Sequence, residues 1–360
     1  MSYFQELRRH EVKAGDLLIA GLGDDRHPVG RACIAPDHLG PAIVKADCYR
    51  VRLDEAQLTH RFAAWALGSS AVSDQVSAST RGSTRSRINL EVAREICLPV
   101  PPVNEQRRIA EFLDAETARI DGLDASRSTQ LEILTERERA MLDLSFREAR
   151  SGTQTRLKYL FSVRPRYGVL VPIFTDDGVP FIRVNDLLDL KGRADGLRNI
   201  PSELSAQYAR SIVQPGDLLM SVVGTLGRAA IAPASLAGAN IARAVCSMRF
   251  MPDVDVQLVE AWLGTSSFHK QALVATSTDT AQPTLGMEDL GNFSLTWPSD
   301  SQERKHMVRE IARIQDSMRR LSDKLERQRS VLVERRQALI TAAVTGQIDV
   351  STASGRWIEE

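Results

Sequence analysis

Residues 15–18 read GDLL and residues 216–219 read GDLL again; GRACIAP at 30–36 is then answered by GRAAIAP at 227–233. The second match has an offset of 197 residues, and at that offset INLEVAREICLPVPP (88–102) aligns in its apolar positions with LGMEDLGNFSLTWPS (285–299). Three landmarks at nearly one spacing mark a unit used twice. A period this long means duplicated domains rather than a solenoid of small repeats.

Each copy closes in the same way. ICLPVPPVNEQRRIAEFL and SLTWPSDSQERKHMVREI both pass through proline into a long charged segment. Proline turns the preceding chain away from helix, so a cap is expected at Asn104 in the first copy and at Ser299 or Ser301 in the second. Beyond it, apolar residues recur at three-four spacing: Leu113, Ile120, Leu123, Leu134, Met141 and Leu144, then Met307, Ile311, Ile314, Met318, Leu321, Leu325, Leu332 and Leu339. This heptad stripe predicts two long helices. The first, over 104–147, is a rod of roughly 65 Å at ~1.5 Å per residue. Glu116, Arg127, Gln130, Arg137, Gln328 and Arg335 interrupt the stripe, and polar seam residues of this kind set register. The rods are expected to pair as an intramolecular antiparallel coiled coil, because the second globular unit must connect the end of one to the start of the other. Residues 99–154 carry 8 basic and 11 acidic side chains, and 301–360 carry 12 and 9, an opposite imbalance that favours this association.

The globular copies have a different texture. VPFIRVNDLLDL (179–190), GDLLMSVVGTLGRAAIA (216–232) and ARAVCSMRF (242–250) are short apolar runs between turn residues and predict strands. VQLVEAWLGTSSFHKQAL (256–273) and its partner AQLTHRFAAWALGSSAVSDQV (56–76) predict helices, with Trp65 and Trp262 in the core. The fold class is therefore α/β mixed, a duplicated domain with each copy followed by a long helix. The expected parts are a partial first domain at 1–98, a central helix and spacer at 99–150, a complete second domain at 151–300, a C-terminal helix at 301–348 and a flexible tail at 349–360.

Composition limits the function. The 360 residues hold 46 basic and 46 acidic side chains, so a globally basic nucleic-acid coat is excluded while a local basic surface is not. Of the 46 basic residues 39 are arginine, whose planar fork suits phosphate, carboxylate and guanine edges. Cys33, Cys48, Cys97 and Cys246 are widely spaced without a C-x-x-C pair, which gives no support to a zinc knuckle and reads as four buried apolar residues. The opening MSYFQELRRHEVKAGD has no signal-peptide core and no run reaches 18 apolar residues, so a cytoplasmic protein is expected.

Taken together, PFIRVNDL, GDLLMSVVGTLGRAAI, INLEVAREICLPVPPVNEQRRIAEFLD and the closing ERRQALITAAVTGQI (334–348) resemble the specificity subunit of type I restriction-modification systems, over essentially the whole chain. The resemblance implies two target-recognition domains, each followed by a long helix, that read a split site on double-stranded DNA. It implies a non-catalytic subunit of an antiviral defence complex, with no cofactor of its own. Its partners would be modification subunits, which transfer a methyl group from S-adenosylmethionine to adenine, and a motor-nuclease restriction subunit; S-adenosylmethionine, ATP and Mg²⁺ belong to those partners, and no membrane is involved. One departure stands out. TRLKYLFSVRPRYG opens the second copy at Thr155, 61 residues before Gly216, whereas Gly15 follows only 14 residues. The first domain is thus expected to be N-terminally shortened, lacking the counterpart of Phe181 to Val184.

Candidate DNA contacts follow from loop chemistry. SASTRGSTRSR (77–87) sets Arg81, Arg85 and Arg87 among small hydroxyl residues, and its counterpart ATSTDTAQ (275–282) offers Thr280 and Gln282. Gln pairs bidentately with adenine and Arg with guanine; a solvated loop fits the same residues. Arg183 and Asn185 in FIRVND, Thr225 and Arg228 in GTLGR, Arg243 and Lys270 complete the set. Arg31 is the counterpart of Arg228, which favours a shared structural or phosphate role. Gly224 and Gly227 permit a tight turn or approach to phosphate without forming a P-loop. Two other readings compete: a coiled-coil structural adaptor that has lost DNA recognition, and a metal-dependent nuclease using Asp176, Asp189 and Lys191. The second rests on a D-x-K triplet, which is common by chance, and no adenine-methylation motif is present.

Overall fold

Gly15 and Gly216 both sit at positive φ, 82° and 87°, a conformation that glycine adopts without steric cost. At each turn the next aspartate folds back on the chain: the Lys13 amide donates to Asp16 at 2.7 Å and the Gln214 amide to Asp217 at 2.8 Å. Each buried carboxylate then receives a two-pronged guanidinium. Arg52 reaches Asp16 at 2.6 and 2.8 Å, and Arg249 reaches Asp217 at 2.7 and 2.8 Å. These charge-assisted pairs tie the strand that begins in each GDLL to the third strand after it, so the repeat preserves an interaction as well as letters.

The computed structural model describes residues 7–24, 27–79, 86–277 and 284–350. It divides into one unit of Met1–Gln130 with Lys324–Glu360 and another of Leu131–Asp323. In the first, β1 (Glu11–Val12), β2 (Leu17–Ala20), β3 (Ala32–Ile34), β4 (Ala42–Ile43) and β5 (Cys48–Val51) precede α1 (His60–Leu67), α2 (Ser70–Ala78) and α3 (Leu90–Arg94). The antiparallel sheet runs β3-β2-β5, with Leu17 opposite both Ile34 and Val51, and β1 pairs with β4. Leu17, Ile19, Val72, Val76 and Ile88 form the core between sheet and helices.

The second unit begins with β6 (Gly152–Arg156), β7 (Phe161–Tyr167), β8 (Val179–Ile182), β9 (Arg198–Ile200) and α4 (Ser202–Gln207). Then come β10 (Leu218–Ser221), β11 (Ala229–Ile231), β12 (Asn240–Ile241), β13 (Val245–Phe250), α5 (Val256–Leu263), α6 (Ser266–Thr276), α7 (Met287–Asn292) and β14 (Ser294–Pro298). Its main sheet runs β11-β10-β13-β7, the order of the first unit with one strand added. That added strand and the β8 and β9 strands of the β12-β8-β9 sheet use the segment for which the first unit has no counterpart among its described residues. VNDLL, expected to continue a strand, is instead a 3-10 turn at Val184–Leu188, because the Asp186 carboxylate accepts the Arg183 amide at 2.8 Å and caps it.

A central helix, Val103–Arg147, and a C-terminal helix, Ser301–Val344, match the heptad reading. Asp300, not Ser299 or Ser301, caps the second: its carboxylate accepts the Gln302 amide at 2.9 Å. In the first unit the start of the central helix (Ile109, Leu113) packs with the end of the C-terminal helix (Ile340, Val344) around Phe62. In the second, the end of the central helix (Leu142, Phe146) packs with the start of the other (Met307, Ile311) around Trp262 and Phe268. Within each unit the two segments therefore run in opposite directions. Arg329 bonds Asp124 at 2.8 and 3.2 Å and Arg336 bonds Asp121 at 3.0 Å, both across the helix pair of the first unit.

Several burial expectations change. Leu123, Leu144 and Leu321 of the stripe are exposed while Leu142 and Phe146 are buried, because near its end the central helix turns its apolar face to the globular fold. Trp262 is core, but Trp65 is half-buried, its indole N–H donating to Asp114 at 2.8 Å. Of the cysteines only Cys246 is buried, its thiol pushed up to about 12 by desolvation; Cys33 and Cys97 are exposed and Cys48 is intermediate.

Gly168 fixes how the second unit's two sheets meet. A Cβ there would stand 1.7 Å from the Ile241 carbonyl oxygen. Its absence lets the Val169 amide donate to Ile241 at 2.8 Å and the Arg243 amide to Val169 at 2.9 Å. Gly168→Ala is expected to cost roughly 1–3 kcal/mol through forced backbone movement, and hydrogen exchange should quicken at the Val169 and Arg243 amides. Asp16→Asn is expected to cost about 1.5–3 kcal/mol at neutral pH, the range for a hydrogen bond to a charged group. The Arg52 guanidinium holds the Asp16 carboxyl below its ordinary value. That contribution is therefore present above the unfolded-state value and lost as pH falls through the lowered native one. Urea unfolding of both proteins from neutral pH down past about pH 4 should show the gap narrowing.

Candidate nucleic-acid interface

Glycine at 168 brings the end of β7 against the chain leaving β12. The Ala242 amide donates to Ile182 at 2.9 Å, so the end of β8 arrives at the same place. From the other side the Val222 amide bonds Ala244 at 2.9 Å, and the Leu285 amide bonds Val222 at 2.8 Å. Five segments of the second unit thus converge at strand ends. Tyr167, Gly168, Leu170, Val223, Arg243 and Thr284 line a cleft there of about 370 Å³. The Tyr167 hydroxyl donates to the Leu285 carbonyl at 2.9 Å, and burial pushes its ionisation up, so it is a neutral donor that braces the floor.

One wall of this region is the β10–β11 turn. Ser221 donates its amide to Arg228 at 2.8 Å and its hydroxyl to the Thr225 carbonyl, while the Arg228 amide returns to the Ser221 hydroxyl at 3.1 Å. Gly227, at φ 81°, lies over the Phe268 ring, where a Cβ would be 2.7 Å from the ring edge. The glycine is there for packing on α6 rather than for phosphate. Thr225 is left exposed at the tip and Arg228 half-buried beside it.

Along β7 a second groove, of about 810 Å³, is lined by Lys158, Tyr159, Arg164, Arg166 and Tyr167, facing Glu288 and Asn292. Arg164 and Arg166 flank a buried Pro165, as strand alternation requires. This basic, aromatic face was missed in the sequence, although the alternation in SVRPRYG signals it. Among the described residues, Arg164, Arg166, Arg228 and Arg243 form no ion pair.

The other candidates are distributed differently. Arg183 sits one residue past the end of β8 but is held by Asp186 at 3.1 and 3.3 Å, and Asn185 is exposed on the same turn. Lys270 is exposed on α6 outside both grooves. Arg87, in the first unit, pairs with Asp47 at 2.6 Å. Arg81, Arg85, Thr280 and Gln282 lie outside the described residues; the last two belong to the segment that re-enters at Thr284. In the first unit Arg31, the counterpart of Arg228, donates to the carbonyls of His27 and Pro28 at 3.0 and 3.1 Å and so closes its own longer loop. Asp189 of the D-x-K triplet accepts the Gly192 amide at 3.0 Å, a turn contact. Among the described residues no three His, Cys, Asp or Glu side chains are placed to hold a metal ion.

Residues 11–132 match the type I restriction modification DNA specificity domain. The chain is 28% identical over 341 residues to the type I restriction enzyme EcoBI specificity subunit of Escherichia coli, an alignment covering 86% of this chain and 70% of that one. A solved structure from work on complex assembly and conformational transition of the type I R-M system superposes with a TM-score of 0.66 at 19% identity, covering 94% of this chain and 83% of its own, and shares the fold. The duplicated GDLL units on long helices, the specificity-domain match and these likenesses support a type I restriction-modification specificity subunit, a non-catalytic kind of subunit, with a role in DNA sequence recognition.

Proposed function

We propose that the second unit reads one half of a split duplex target at the convergence of β7, β10 and β13. Arg164, Arg166, Arg228 and Arg243 take phosphates, while Thr225, Thr280 and Gln282 are the candidates for base edges. The observation that carries this reading is that Arg243 lines one groove, Arg164 and Arg166 line the other, and Arg228 stands in the turn whose Val223 lines the first, none of the four in an ion pair among the described residues. Phosphate contacts position a protein on duplex DNA and base-edge contacts specify sequence, so both kinds of group are needed at one surface. The first unit would supply the other half; Arg31 and Arg87 serve their own loops there, and Arg81 and Arg85 are the candidates for phosphate.

The long helices would form the antiparallel coiled coil that spaces the two readers. Their exposed apolar residues, Leu123, Val331 and Val333 in the first unit and Ile133, Leu144 and Leu321 in the second, favour them as the docking surface for modification subunits carrying S-adenosylmethionine. The motor-nuclease subunit, with its ATP and Mg²⁺, would join the same cytoplasmic assembly.

Exchange of residues 155–298 for the equivalent segment of a related subunit should change one half of the methylated site, read by single-molecule sequencing, and leave the other half alone. Unaltered methylation at both halves refutes the assignment. In the assembled complex, Arg228→Ala with Arg243→Ala should weaken binding to cognate and unrelated duplexes by similar factors and lower the salt slope by about 0.9 for each phosphate no longer neutralised. An unchanged slope would remove these arginines from the interface.

A further inference from the structure

The chain between β7 and β8 departs from soluble-protein habit at one place. Leu170, Val171 and Ile173 are 53%, 69% and 62% exposed, three bulky aliphatic side chains within four residues. They are not on a slack loop. Val169, directly before them, is buried and bonded on both sides, to Ile241 at 2.8 Å and to Arg243 at 2.9 Å. Pro172 fixes its own φ within the tip. Phe174, directly after, is stacked under the Arg198 guanidinium at 3.7 Å and meets the Phe181 ring at 5.9 Å, and the Thr175 amide bonds Asn199 at 3.1 Å. The result is a rigid apolar tip anchored at both ends.

Its surroundings indicate what it meets. Leu170 lines the same cleft as Arg243, Arg198 stands over its far anchor, and Arg166 lies on the adjoining strand. An apolar tip of three side chains rimmed by arginines complements a groove of duplex DNA, where phosphates flank base edges and thymine presents its only apolar group, the C5 methyl. A protein partner is a poorer fit, because so narrow a tip would draw the cationic rim into an interface core, from which charge is usually depleted.

We infer that Leu170, Val171 and Ile173 contact thymine methyl groups in the half-site read by the second unit, and so help to set its sequence. This rests on the reading of that unit as a DNA reader. The inference concerns the second unit; the segment has no counterpart among the described residues of the first.

The test uses the full chain assembled with its modification subunits and the methylated site found by sequencing. Wild type and Leu170→Ser/Val171→Ser/Ile173→Ser are titrated at several salt concentrations on three duplexes: the site, the site with deoxyuridine replacing thymine in the second unit's half, and an unrelated sequence. The uracil duplex should bind wild type about fourfold more weakly for each contacted methyl removed. The variant should lose roughly tenfold or more on the site, bind the unrelated duplex as wild type does, keep the salt slope and become indifferent to uracil. Because the uracil arm needs no substitution, a folding defect in the variant does not decide the outcome. Equal affinity of wild type for thymine and uracil duplexes overturns the inference, as does a variant that loses equally on all three or fails to hold the modification subunits. Wild type without preference for the site over unrelated DNA overturns the underlying reading instead, and the inference with it.

Discussion

Arg304 is 8% exposed, yet its guanidinium has four partners: Asp255 at 2.8 Å, the carbonyls of Pro298 and Ser299 at 3.0 Å, and that of Asp253 at 3.1 Å. A buried cation is tolerable only when its donors are paired, and here the pairing joins the first turn of the C-terminal helix to the chain entering it and to the loop before α5. In the first unit the buried Gln106 does the equivalent work without charge. It accepts the Thr59 amide and donates to the carbonyls of Gln57 and Pro101, each at 2.8 Å. Both side chains lie in the first turns of a long helix and both grip the chain just before a helix of the globular fold, α1 in the first unit and α5 in the second. A polar helix of this length cannot hold its own apolar stripe out of water, so the fold depends on these clamps to fix its entry.

The other helix of each pair is clamped too. The Thr341 hydroxyl accepts the Ser70 amide at 3.0 Å in the first unit, and the Asp143 carboxylate accepts the Ser266 amide at 2.9 Å in the second. Each globular fold is thus gripped by the start of one long helix and the end of the other. This explains why Leu142 and Phe146 are buried and Leu144 is not: near a helix end the globular fold, not the partner helix, chooses the buried face.

What was legible in the sequence was whatever duplication or periodicity expressed twice. GDLL, the GRA-x-IAP strand and the proline-led helices were readable because two copies confirmed one another. The sites were less legible for physical reasons. Arg87 looks like a loop cation until a distant Asp47 takes it, and Arg183 until Asp186 does. Gly227 resembles a phosphate-binding glycine until the Phe268 ring appears beneath it. Each of these outcomes depends on a partner brought close by folding. Arg164 and Arg166 are the reverse case, since strand alternation alone would have put them on one face.

Comparison of the two copies separates scaffold from reader. The Asp16–Arg52 and Asp217–Arg249 pairs, the helix-start clamps and the strand order recur, with changes of residue only where the chemistry is kept, as between Gln106 and Arg304. At the strand ends the closing bonds recur, Ala20 to Arg31 as Ser221 to Arg228 and Ile88 to Gly21 as Leu285 to Val222, but the turn beyond them differs. Arg31 closes a loop that is four residues longer than the turn carrying Arg228, so the same arginine is consumed in one unit and available in the other. An interaction that holds a sheet together constrains both partners and drifts slowly, whereas a turn beyond the last ladder bond is constrained only by what it touches outside. Divergence confined to such turns lets two copies of one scaffold present different surfaces without disturbing the bonds that hold either sheet together.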